Sequence, residues 1–66
     1  MVVVVNGSDV VVAERATVAD LLGQLGLTGR LIVVERNGQP VPRREVAETP
    51  LHAGDRLELV RAVAGG

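Results

Sequence analysis

The chain has no cysteine, no aromatic residue and no lysine; all seven of its basic residues are arginine. Without cysteine, disulfides and thiolate metal sites are excluded. Without Phe, Tyr or Trp there is no platform on which nucleic-acid bases could stack. A formal net charge of −1 offers no basic face to a phosphate backbone, so nucleic acid is set aside as a partner. The lack of lysine forbids self-linked chains through lysine but leaves attachment to other proteins open. Long apolar runs are also missing. The opening Met-Val-Val-Val-Val is far too short for a signal-peptide core and has no basic residue before it. No window approaches the roughly 20 apolar residues of a membrane helix. These absences lead to the expectation of a cytoplasmic protein, monomeric when free, with no membrane and no metal.

What remains is aliphatic. Hydrophobic residues make up 47% of 66 positions, so one small core must hold the fold by packing alone. A chain of this size buries only about 60% of the surface its unfolded form exposes, which leaves no room for a second domain. Residues 2–5 are β-branched, then Asn6-Gly7 precedes another valine run at 10–12. Asn-Gly between such runs signals a two-residue hairpin turn, because its backbone must take positive φ. Strands are predicted at about 2–6 and 9–13. Thr17 and Asp20 form a capping-box-like start, and Val18, Leu21, Leu22 and Leu25 fall on one stripe of a helix over 18–25. Gly26 suits the left-handed position past its end, with Leu27 folding back onto Leu22.

A third strand is predicted at 31–34. Asn37-Gly38 gives a second hairpin into a short strand at 39–41, confined to a sheet edge by Pro40. Residues 42–50 read as loop with one helical turn at 44–47. Residues 53–55 form a turn, and the alternation of Arg56-Leu57-Glu58-Leu59 starts a last strand reaching about 62. One amphipathic helix must bury its stripe on a sheet. The order hairpin, helix, hairpin, strand predicts an α+β β-grasp domain over 1–62. In it, one helix crosses a mixed four- to five-stranded sheet, with the first strand at its centre and parallel to the last. Residues 63–66 are expected to be a flexible tail.

The side chains carry no catalytic set of nucleophile, base and orienting group. His52 has no evident acid, base or metal partner, and Ser8 belongs to a turn. The acidic residues are scattered, as on a solvated surface; Arg43-Arg44 could grip a phosphate or an acidic partner but reads more simply as a solvated pair. The main chain offers more. Gly65-Gly66 follows the last predicted strand, an ending that chance gives roughly 0.5% of the time. Glycine has no Cβ, so its backbone can enter a channel too narrow for any side chain. The terminal carboxylate could then be adenylated by ATP in a partner's active site. A persulfide sulfur could displace AMP to leave a thiocarboxylate.

The chain resembles the ThiS/molybdopterin-synthase-small-subunit group of ubiquitin-like sulfur carriers, and most closely its thiamine-biosynthesis branch. The resemblance rests on the valine-rich start with Asn6, Thr17-Val18 followed by Leu21-Leu22, and Asn37-Gly38 with Val41-Pro42-Arg43. It continues through Gly54-Asp55 to the ending Val63-Ala64-Gly65-Gly66. It implies an E1-like adenylyltransferase that uses ATP and Mg to activate Gly66, with Gly65 and Ala64 in the tail. A cysteine desulfurase system would supply the sulfur, and thiazole synthase would accept it. Relatives often carry an aromatic residue where Val5 stands. The molybdopterin branch, often with Phe or Pro-Pro before the diglycine, is the nearest alternative; a protein tag and a plain β-grasp binding module are the others.

Strand alternation also predicts an interaction face. Leu57, Leu59, Val3, Val5, Val10 and Val12 should face the helix. Val2, Val4, Val11 and Val60 should then lie together on the outer face as a docking patch beside the tail.

Overall fold

The computed structural model describes residues 1–62, so the predicted tail, with Ala64, Gly65 and Gly66, lies outside the described residues. The valine run forms β1 (Val2–Val5), and the chain reverses through Asn6-Gly7 into β2 (Ser8–Val11). Asn6 and Gly7 have φ of 49° and 83°, the left-handed pair that a two-residue turn between twisted strands requires. Val5 pairs with Ser8 and Val2 with Val11, so the turn holds only those two residues.

Helix α1 (Val18–Gln24) begins with the reciprocal cap expected. The Asp20 backbone N–H donates to the Thr17 hydroxyl at 3.2 Å, and the Thr17 backbone N–H donates to the Asp20 carboxylate at 2.9 Å. At the other end Gly26 takes φ of 73°, Leu27 N–H donates to Leu22 C=O at 2.8 Å, and Gly26 N–H donates to Gly23 C=O. That pair of bonds is the left-handed glycine cap read from the sequence. Val18 and Leu21 are fully buried; Leu25, the last member of the predicted stripe, is the capping residue and is exposed.

Strands β3 (Ile32–Arg36) and β4 (Gln39–Val41) flank the Asn37-Gly38 turn. The predicted single helical turn is a longer 3₁₀ segment, η1 (Arg43–Glu48), and β5 runs Arg56–Arg61. The sheet order is β2-β1-β5-β3-β4. β1 and β5 are parallel and all other pairs antiparallel, so this is a β-grasp fold with five strands. β1, expected at the centre, is interior but second from an edge; the central strand is β5, which pairs with both β1 and β3. Val3, Val5, Val12, Val34, Leu57 and Leu59 close the core against Val18 and Leu21. Val10, placed inward, is half-buried because β2 is an edge strand.

Candidate functional site

The site is built around the C-terminal end of β5. Successive residues of β5 turn their backbone groups to opposite neighbours. Arg56 C=O accepts from Asn37 N–H and Ala62 N–H donates to Leu31 C=O, both on the β3 side. Asp55 C=O accepts from Val4 N–H and Leu57 C=O accepts from Asn6 N–H, both on the β1 side. β1 then stops, yet the ladder gains one more rung. The Asn6 carboxamide oxygen accepts from Leu59 N–H at 2.8 Å, and its nitrogen donates to Leu59 C=O at 3.1 Å. Residue Ala62, bonded to Leu31, is the last described before the Val63-Ala64-Gly65-Gly66 sequence.

The four outer valines do not form the single patch expected. Val60 is 59% exposed and pairs with Val33, itself 52% exposed. Leu31, two positions before Val33, is 48% exposed, so an apolar group sits directly at the end of β5. Val2 and Val11 are paired at the far corner, where the Val2 carbonyl accepts from Gly54 N–H. Val2 is therefore level with Gly54, six residues down from Val60 along β5, or about 20 Å at roughly 3.3 Å per residue. Val4 lies between the two groups, half-buried and flanked by Asp9 and Arg56. The face was read correctly because alternation is local. The gap was not, because it depends on the parallel offset of β1 against β5. Val33 and Leu31 were missed for the same reason: nothing near them in sequence reveals that they lie beside Val60.

Several surface readings also change. Asp55 is only 8% exposed rather than solvated. Its carboxylate accepts from His52 backbone N–H at 2.8 Å, from the Asn37 carboxamide at 3.1 Å and from Arg36 at 3.5 Å. Burial pushes this carboxyl up, but the Asn37 and His52 hydrogen bonds and the Arg36 charge outweigh it and hold the group below its ordinary range. His52, expected to stand alone, has its ring Nδ1 3.9 Å from the same carboxylate, because the 52–55 turn brings the two together. The ring is 70% exposed and Asp55 is already engaged by three donors, so the pair braces a turn. Arg43 and Arg44 part company. Arg44 meets Glu45 at 3.8 Å on open surface, while Arg43 borders a depression of about 140 Å³ beside Leu22 and Ile32. Ser8 is an exposed strand residue opposite Val5. Among the described residues, no three His, Asp or Glu side chains gather as a metal site, and no helix is long and apolar enough to cross a membrane.

Fold and site together define a class, that of the small ubiquitin-like β-grasp proteins with a diglycine sequence beyond the last strand. Comparison with known proteins narrows it. The family model of the ThiS family matches residues 2–66. The sulfur carrier protein ThiS of Bacillus subtilis is 34% identical over 62 residues, covering 92% of this chain and 94% of that one. A thiazole synthase of Paramagnetospirillum magneticum is 39% identical over 66 residues; this whole chain spans 20% of that protein's length. The crystal structure of a thiamine biosynthesis protein (ThiS) from Geobacter metallireducens superposes with a TM-score of 0.84 at 32% identity, over the full length of both chains. Its solution structure gives 0.79 and is covered over 88% of its length. The chain belongs to the ThiS family.

Proposed function

We propose that this protein is a sulfur carrier of thiamine biosynthesis, a co-substrate for partner enzymes in the cytoplasm and not itself an enzyme. The observation that supports this most is a Gly65-Gly66 sequence four positions after the last residue of β5, Arg61, in a ThiS-family chain. The Gly66 carboxylate attacks the α-phosphorus of ATP on an E1-like adenylyltransferase, which supplies the Mg ion, and pyrophosphate leaves. A persulfide from a cysteine desulfurase system attacks the acyl carbon and expels AMP. A thiol then attacks the enzyme-side sulfur of the resulting acyl disulfide; the S–S bond breaks, a new disulfide forms between the thiol and that sulfur, and the thiocarboxylate is released.

Thiazole synthase is the proposed acceptor. A thiazole synthase that contains a stretch similar to this entire chain supports that pairing, since one polypeptide there holds both parts. The sequence before the diglycine, Arg61-Ala62-Val63-Ala64, lacks the Phe or Pro-Pro of the molybdopterin branch and favours the same acceptor. Docking is proposed on the outer sheet face. Val60, with Val33 and Leu31, forms the part nearest the end of β5, while Val2 and Val11 form a separate apolar group at the far corner of the same face, with Val4 between the two.

Incubation with the source organism's adenylyltransferase, ATP and a sulfur donor, followed by intact mass measurement, tests this. Sulfur replacing one oxygen at the C-terminus is the expected result. One residue added after Gly66, or Gly65→Val, should abolish the change while leaving the fold intact. An extended chain that still gains sulfur at the normal rate, or a stable link to another protein instead, would sink the carrier reading.

A further inference from the structure

We propose that Asn6 is a positioning residue for sulfur loading: its carboxamide replaces the missing next residue of β1 and holds the end of β5 in line. The inference rests on the carrier reading above. β1 ends at Val5, so beyond Leu57 the backbone of β5 has strand β3 on one side and, among the described residues, only the Asn6 side chain on the other. A carboxamide presents one carbonyl and one NH₂ in the plane of a peptide group, so it can complete a ladder rung at both ends. Asparagine is also a side-chain-bearing residue that tolerates the φ of 49° needed here, which turns the main chain away while leaving the carboxamide in the strand's line. Glycine would give the turn without the rung.

The rung sits where the carrier needs direction. Leu59 is the residue before Val60, and Gly66 follows Leu59 by seven positions. A partner that grips Val60 and Val33 places the reacting carboxylate through this short stretch alone. If the β1 side of Leu59 comes loose, the end of β5 can pivot about its β3 bonds, and fewer docked molecules present Gly66 in the reacting position.

The second Asn-Gly turn supplies the control. The Asn37 carboxamide accepts from Arg56 N–H at 2.9 Å and donates to Asp55, at the opposite end of β5 from the tail. Asn6→Gly and Asn37→Gly both keep a residue that accepts positive φ, and both remove a two-bonded carboxamide. Pyrophosphate release by the adenylyltransferase is followed at a temperature well below the Tm of each variant, with amide exchange measured in parallel. For Asn6→Gly, kcat should fall on the order of tenfold while KM stays within about twofold, the pattern of lost positioning and not of lost docking. The Leu59 amide should exchange on the order of tenfold faster or more, as expected for a lost hydrogen bond. Asn37→Gly should lower Tm but leave kcat and Leu59 protection at wild-type values. Equal kcat for the two variants, or unchanged Leu59 exchange in Asn6→Gly, overturns the inference. A wild-type chain that releases no pyrophosphate overturns the carrier reading itself, a result distinct from a difference between variants.

Discussion

Asn6-Gly7 and Asn37-Gly38 are the same dipeptide in nearly the same backbone, with φ of 49° and 83° in one and 52° and 81° in the other. Both reverse a hairpin, and both send a carboxamide onto β5. Their partners differ. Asn37 joins a charged cluster around the buried Asp55 carboxylate, which ties the base of β5 to the 52–55 turn and to Arg36. Among the described residues, the Asn6 carboxamide bonds only the peptide groups of Leu59, toward the C-terminal end of β5. A local turn signal therefore sets the shape of each hairpin and says nothing about what its side chain braces. One turn secures the fold at the strand's start; the other acts where the strand hands over to the tail.

The largest expected effect breaks the first of these braces. Asp55→Ala strips the acceptor from the His52 N–H, the Asn37 carboxamide and Arg36 together. The cost should be about 2–3 kcal/mol, since hydrogen bonds to one buried, charged carboxylate are lost together. For a domain this small that lowers Tm by on the order of 10 °C. Thermal melting followed by circular dichroism checks it. A loss of Tm no larger than that of an exposed-site control such as Glu14→Ala would show that the cluster is not a brace.

A smaller effect distinguishes the two apolar groups of the outer face. Val60→Asp places a charge against Val33 at the tail end, while Val11→Asp places one at the far corner. Val60→Asp should raise KM for adenylation about tenfold, equivalent to roughly 1.4 kcal/mol of docking, with the melting curve preserved. Val11→Asp should change KM much less. If both variants load like the wild type, the docking assignment fails; if Val11→Asp is the more damaging, the partner reads the opposite corner.

The smallest effect is a pH slope. The Asp55 carboxyl lies below its ordinary range in the folded protein, so the unfolded chain binds its proton first. Its contribution is complete above the unfolded value of about 4 and is lost as pH falls through the lower folded value. Urea denaturation between neutral pH and about pH 3 should show this acid loss in the wild type. The loss should shrink in Asp55→Asn, which cannot ionise. An identical slope in the two proteins would show that other carboxylates govern the acid response.

Much of this molecule is decided by residues close together in the chain. The valine runs, the two Asn-Gly pairs, the Thr17–Asp20 cap and the Gly26 stop each act within a few residues, so they specify the hairpins, the helix and its ends directly. Alternation in β1 and β5 likewise assigns Val3, Val5, Leu57 and Leu59 to the core, and the diglycine is legible as written. Tertiary structure alone decides how these pieces meet. The parallel offset of β1 against β5 separates Val2 and Val11 from Val60, and the β3–β5 register brings Val33 to Val60's side. The same packing buries Asp55 beside Asn37 and sets the Asn6 carboxamide on Leu59, 53 residues away in the chain. Hydrogen bonds and contacts across such separations depend on the register in which the strands finally pair, and no short window of sequence carries that register.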